Sequence, residues 1–196
     1  MKTLFISLKI FLFFTVLTGV IYPLFVTGIA QLTMPAKANG SLILKNNKII
    51  GSELIGQPFD SVIYFTSRPS AISYNPLPSG GSNFGLTNAK LKHSVDSLKN
   101  QFIAFNQLDG NTTIPSEMVF ASGSGLDPHI SQKAALLQVD RIVRARNLSP
   151  DSKQRIIQCV KTITEAPQFL LLGEERVNVL ILNLELDKID TNTTNK

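Results

Sequence analysis

Ser124, Asp127 and His129 stand within six positions of one another and are the residue types of a nucleophile, an orienting carboxylate and a general base. Their spacing argues against acyl transfer. Ala121-Ser-Gly-Ser-Gly125 places no glycine two before Ser124, so the G-x-S-x-G elbow is missing, and three groups crowded on so short a stretch rarely form a triad. Asp127-Pro128 reads more simply as a turn ahead of a helix. His93, His129 and Cys159 are far apart in sequence and lack a paired spacing such as C-x2-C or H-E-x-x-H, so the expectation is no metal site. Ser79-Gly-Gly-Ser-Asn83 has the composition of a phosphate loop but no Lys after its second glycine. Its backbone amides leave an anion cradle open, beside a flexible recognition loop or a tight turn. Cys159 is the single cysteine, so no intrachain disulfide forms and the fold must hold by packing.

The elements that position these residues begin with an uncharged run over residues 10–32, roughly the 20 apolar residues a helix needs to cross a bilayer. The alternative is a cleavable secretory signal, with Lys2 and Lys9 as its basic region and cleavage after Ala38. A signal core of about 7 to 15 residues is shorter than this run, and Pro23 lies near its centre, so a retained single-pass helix is expected. Thr15 and Gly19, four apart, give a small-xxx-small spacing that admits a neighbouring helix, and Pro23 is expected to kink the span. Orientation is weakly set: Lys2 and Lys9 on one side face Lys37 and Lys45 on the other, and the short flank favours a cytoplasmic N-terminus. The organisation expected is a flank over 1–9, a transmembrane helix over 10–32, an extracytoplasmic domain over 33–187 and a polar tail over 188–196.

The net charge of +5 is scattered among acidic residues. Only Arg141, Arg144 and Arg146 cluster, where they suit a helix C-terminus, so nucleic acid is not an expected partner. Ser41-Leu-Ile-Leu-Lys45 and Lys48-Ile-Ile-Gly-Ser-Glu-Leu-Ile55 flank Asn46-Asn47 and predict a hairpin. Val62-Ile-Tyr-Phe65 predicts a strand, followed over 68–88 by a long Pro-, Ser- and Gly-rich loop of a length that is usually functional or mobile. Leu91, Val95, Leu98, Phe102 and Phe105 predict an amphipathic helix capped near Thr87-Asn88, and Met118-Val-Phe-Ala121 a buried strand. Ser131 caps a predicted helix running to Arg146, and Ser149-Pro150 opens another through Ile163. This pair is superficially like a helix-turn-helix, but packing on a sheet explains it better. Val177-Asn-Val-Leu-Ile-Leu-Asn-Leu-Glu-Leu186 predicts a central strand, and the tail from Asp187 is expected to fray. The fold class expected is α/β (α+β): a single globular domain, a mixed sheet with packed helices, on one N-terminal transmembrane helix.

Nine segments in order resemble the C subunit of the prokaryotic potassium-transporting P-type ATPase, the Kdp complex. They are Gly19-Val-Ile-Tyr-Pro23, Ala38-Asn-Gly-Ser-Leu42, Gly51-Ser-Glu-Leu-Ile-Gly-Gln57, Arg68-Pro-Ser70, Tyr74-Asn-Pro76, Ser79-Gly-Gly-Ser-Asn83, Ala121-Ser-Gly-Ser-Gly-Leu-Asp-Pro-His-Ile-Ser131, Ala145-Arg-Asn-Leu148 and Val177-Asn-Val-Leu180. Thr66-Ser67 and residues 170–175 depart from the family pattern. The resemblance implies an accessory subunit with no hydrolysis site of its own, in the cell membrane with a channel-like potassium-translocating subunit, an ATP-hydrolysing P-type subunit and a small single-helix subunit. It implies a catalytic chaperone that raises the hydrolysing subunit's affinity for ATP, the cofactor, with Gln138 as the matching nucleotide residue. Read from its neighbours alone, Gln138 is a solvent-facing helix position. An outward-facing domain would exclude direct ATP contact and leave coupling between distant sites. The 68–88 loop, with Arg68, Tyr74, Asn75, Gly80, Gly81 and Asn83, is the expected docking surface for the potassium-conducting subunit, and Thr15, Gly19 and Pro23 the expected helix-packing positions. A free-standing anchored binding protein and a secreted hydrolase using Ser124 are the rivals.

Overall fold

The computed structural model describes the backbone of residues 1–194 and the side chains as far as Ile189. It divides into two compact units, Met1–Ser52 and Glu53–Lys196, with Asn195 and Lys196 outside the described residues.

The first unit opens with α1 (Lys2–Val16), a π turn (Leu17–Ile21) and α2 (Tyr22–Thr33). Together they make a 32-residue helix whose most apolar 18 residues have a mean hydropathy of 2.3, long and apolar enough to cross a membrane. A π turn lies immediately ahead of Pro23, at the place where the sequence predicts a kink. Proline has no N–H for the Gly19 carbonyl and its ring crowds that oxygen; just upstream, the Tyr22 N–H reaches back to the Leu17 carbonyl. Thr15 and Thr18 donate their hydroxyls to the carbonyls of Phe11 and Phe14, at 2.8 and 2.7 Å, and so carry no unpaired polar group. After α3 (Pro35–Ala38) the predicted hairpin is present: β1 (Leu42–Lys45) pairs antiparallel with β2 (Lys48–Ser52). Its turn residues Asn46 and Asn47 have φ of 53° and 60°, which asparagine tolerates.

The second unit is built on four helices. Asn88, Ser131 and Ser149 each cap one by accepting a backbone N–H: α4 (Ala89–Asn106), α5 (Gln132–Ala145) and α6 (Pro150–Ile163). The fourth corrects the sequence reading. Residues 177–186 do not form a long strand: only β4 (Val177–Asn178) is extended, pairing antiparallel with β3 (His129–Ile130), and α7 (Val179–Thr194) begins at once. Val179, Leu182, Asn183 and Leu186 are buried at helical spacing, and Asn178 Oδ1 accepts the Ile181 N–H at 3.2 Å to start the helix. α7 also continues through the predicted tail to Thr194.

Two other predicted strands differ. Met118-Val-Phe-Ala121 opens as a 3-10 turn (Ser116–Met118), because Pro115 presets the chain and the Ser116 carbonyl accepts from both Val119 and Phe120. Met118 and Val119 are nonetheless buried. Residues 62–65 have no strand partner among the described residues. The domain is α+β as expected, with its described strands in two two-stranded antiparallel pairs. α5, α6 and α7 enclose a core of Val139, Ile142, Ile156, Val160, Leu182 and Leu186, onto which Phe65 and Phe102 pack. Each such side chain contributes about 1.5–3 kcal/mol by leaving water.

Candidate functional site

Residues 62–66 run between helices, and their backbone bonds to side chains instead of to a neighbouring strand. Arg141, on α5, donates to the carbonyls of Val62 and of Tyr64, the latter at 2.8 Å. Arg146 donates to Ile63 O at 2.8 Å and to the carboxylate of Asp187 at 3.0 Å. Asn183, on α7, accepts the Phe65 N–H at 2.8 Å and donates to the Phe65 carbonyl at 2.9 Å. Gln138 Oε1 accepts the Thr66 N–H at 2.7 Å, and its amide nitrogen lies 3.4 Å from Thr66 O. These backbone groups therefore find their partners away from any sheet.

This places Gln138 otherwise than as a solvent-facing position. It is wholly buried, and Oε1 also accepts from Arg141 at 3.0 Å. Arg141 is buried too, donates to Asn106 Oδ1 at 2.9 Å and stacks 4.6 Å over the Phe105 ring. Burial, aided by Arg144, lowers its pKa to about 10, so it stays charged at neutral pH.

The long loop is docked at its base. Arg68 forms an ion pair with Asp127 Oδ2 at 2.6 Å, and Tyr74 donates its hydroxyl to Arg68 O at 2.5 Å. Ser70 donates to Gly125 O, and Gly80 N–H to Ser124 O, at 2.7 and 3.1 Å. Two glycines permit this approach. A Cβ on Gly56 would lie 2.7 Å from Asp127 O, and one on Gly81 would lie 3.3 Å from Gly123 O. Asn75 and Asn83 face solvent, Asn75 accepting the Leu77 N–H at 3.1 Å. Of the predicted docking residues, Arg68, Tyr74, Gly80 and Gly81 thus brace the loop while Asn75 and Asn83 lie on its exposed part.

Asp127 and His129 do meet, with Nδ1 3.2 Å from Oδ1, whereas Ser124 Oγ accepts the Leu126 N–H in a local turn at 3.1 Å. His93 is exposed on α4, and Cys159 is half-buried against the core, its thiol pKa raised by burial. Among the described residues no group of three or more His, Cys, Asp and Glu is placed to hold a metal. A cleft of about 750 Å³ lies beside the ion pair, lined by Arg68, Asp127, His129 and Glu117 and by residues 172–176. Arg68 Nε is buried with no hydrogen-bond partner among the described residues.

Burial raises the Asp127 pKa, but bonds from the His129 ring and backbone N–H and from Arg68 outweigh it and hold the carboxyl at about 2 against an ordinary 3.8. The native state therefore takes up this proton less readily than the unfolded chain. The stability these bonds supply, about 2 kcal/mol, is fully present above about pH 4 and is lost as pH falls through about 2. Urea unfolding of the full chain in detergent is expected to show Asp127→Asn less stable than the unsubstituted chain near neutrality, with the gap closing in acid. A gap independent of pH would refute the assignment.

The sequence reading missed Arg141, Arg146, Asn106 and Asn183 as a set. The available signal was a polar residue set inside an apolar stripe, as Asn183 is between Leu182 and Leu184.

Fold and site together define a small α+β module whose interior polar groups hold a long loop in place, in a chain that opens with a helix of membrane-spanning length. The model of the family described as KdpC: K+-transporting ATPase, c chain, matches residues 4–188, and the chain belongs to that family. It is 50% identical over 188 residues to the potassium-transporting ATPase KdpC subunit of Methylococcus capsulatus, covering 93% of this chain and 96% of the relative. The subunit of the same description from Geobacter metallireducens is 46% identical over 187 residues, covering 93% and 96%. That from Caldanaerobacter subterraneus subsp. tengcongensis is 43% identical over 180 residues, covering 92% of each.

Proposed function

We propose that this chain is the accessory subunit of an ATP-driven potassium uptake complex, assembling with a channel-like potassium-translocating subunit, an ATP-hydrolysing P-type subunit and a small single-helix subunit. Its helix spans the cell membrane with the N-terminus cytoplasmic and the domain over 33–187 extracytoplasmic. Thr15, Gly19 and Pro23 pack against neighbouring helices, and the exposed part of the 68–88 loop, at Asn75 and Asn83, docks beside the outer mouth of the potassium-conducting subunit. Potassium itself need not touch this chain.

The subunit acts as a catalytic chaperone that raises the hydrolysing subunit's affinity for ATP. The burial of Gln138 supports coupling at a distance over direct nucleotide contact, since every polar atom of its amide faces Thr66 or Arg141. ATP then stays with the partner. Linkage is reciprocal, so nucleotide in the partner tightens the hold on this subunit by the same factor.

Topology is the first test. Protease added to sealed right-side-out vesicles is expected to digest the domain, and azido-ATP to label the hydrolysing subunit and not this chain. A domain protected until detergent is added, or one labelled by azido-ATP, would overturn the coupling reading.

A further inference from the structure

Residues 165–176 leave the core as a two-stranded arm. Antiparallel bonds join Glu165 to Arg176 and Gln168 to Leu172, and the Glu165–Arg176 ion pair closes the neck at 2.9 Å. At the tip, Phe169, Leu170 and Leu171 are 89%, 84% and 83% exposed. Such a contiguous apolar patch on an arm is unusual for surface that remains in water. The turn is costly in a second way: Phe169 and Leu170 have φ of 54° and 61°, in the region that hairpins of this kind fill with Asn or Gly. Two bulky residues are thus held in an unfavourable backbone conformation with their side chains outward.

We propose that this tip is a docking element that inserts into an apolar socket with a basic rim on an extramembrane loop of another subunit of the complex; the inference rests on the assembly proposed above. Charge selects the occupant. Glu174 and Glu175 stand exposed on the returning limb of the arm, between the tip and the neck, and the one cation of the neck, Arg176, is already paired with Glu165. An apolar tip on an acidic limb is repelled by anionic lipid headgroups and matched by a protein pocket edged with Lys or Arg. The base of the arm lines the same cleft as Arg68, so the apolar tip adds a second contact element beside the 68–88 loop.

The test places the photo-crosslinker p-benzoylphenylalanine at position 171 in the full complex in native membranes. Illumination is expected to join this chain to another subunit of the complex. Adding E174R and E175R is expected to lower that yield about tenfold without preventing co-purification, since one rim repulsion is enough for such a change. Adducts with lipid alone, adducts indifferent to the charge reversal, or no adduct in an intact complex would each overturn the proposal. If the unsubstituted chain fails to co-purify with the complex, the assembly reading falls, and this inference with it.

Discussion

Arg141→Met is expected to destabilise the full chain by about 4 kcal/mol, a large part of the roughly 5–15 kcal/mol by which domains are stable. Methionine fills similar space and removes a buried charge, which by itself would help. Against that, Asn106 Oδ1 in the interior and the half-buried Val62 O and Tyr64 O all lose their guanidinium donor. One buried and two half-buried acceptors left unpaired, at about 1–3 kcal/mol each, outweigh the relief. Arg141→Lys should recover only part of the loss, because an ammonium cannot reproduce the planar fork. Hydrogen exchange gives the sharper readout. The Phe65 and Thr66 amides, bonded to Asn183 and Gln138, should be protected in the unsubstituted chain and exchange faster in the Met variant. Unchanged protection would mean that residues 62–66 are held by packing, and the side-chain bonds are incidental.

Gly56→Ala is expected to cost about 3 kcal/mol, at the upper end for overpacking, because the added carbon would meet Asp127 O at 2.7 Å and the Tyr74 ring at 2.9 Å. A ring can swing aside; a carbonyl between Leu126 and Pro128 moves only with its whole turn. The shift would disturb Arg68 and Asp127 together. Gly80→Ala, where nothing lies within 4 Å of the new carbon, should change stability by less than about 0.5 kcal/mol beyond its effect on the unfolded chain. Limited proteolysis in the 68–88 loop distinguishes the two: faster cleavage for Gly56→Ala alone is expected, and equal rates would sink the close-approach argument.

What could be read in advance was local. Asn88, Ser131 and Ser149-Pro150 each satisfy backbone N–H groups within a few residues of themselves, so their roles as caps were visible in sequence. The Asn46-Asn47 turn was visible for the same reason. Residues 177–186 misled because Leu180, Leu182, Leu184 and Leu186 alternate as a strand would, while Val179, Leu182, Asn183 and Leu186 fit a helix equally well. Packing against α6, which no window of sequence contains, decides between them. Val62-Ile-Tyr-Phe65 reads as a strand from its apolar composition, yet the partners of its backbone are side chains of α5, its C-cap and α7. Gln138 was misplaced because its neighbours in sequence do not include Thr66, its neighbour in space. The arm was invisible in another way: Phe169-Leu-Leu-Leu172 reads as core by composition, and only the fold puts it outside.

The π turn at Leu17–Ile21 sets the angular phase of the whole N-terminal helix. Thr15, Gly19, Pro23, Thr27 and Gln31 recur every fourth residue, a spacing that drifts by about 40° per step in a regular α-helix and about 160° over the series. One extra residue accommodated in the turn takes back about 100° of that drift. A series that would wind halfway around the cylinder is thereby drawn into a single seam running along it. Deleting one residue of the turn other than Gly19 would leave the flanking seam positions in phase, whereas straightening the turn with every residue kept would swing the two halves of the seam apart by about 100°.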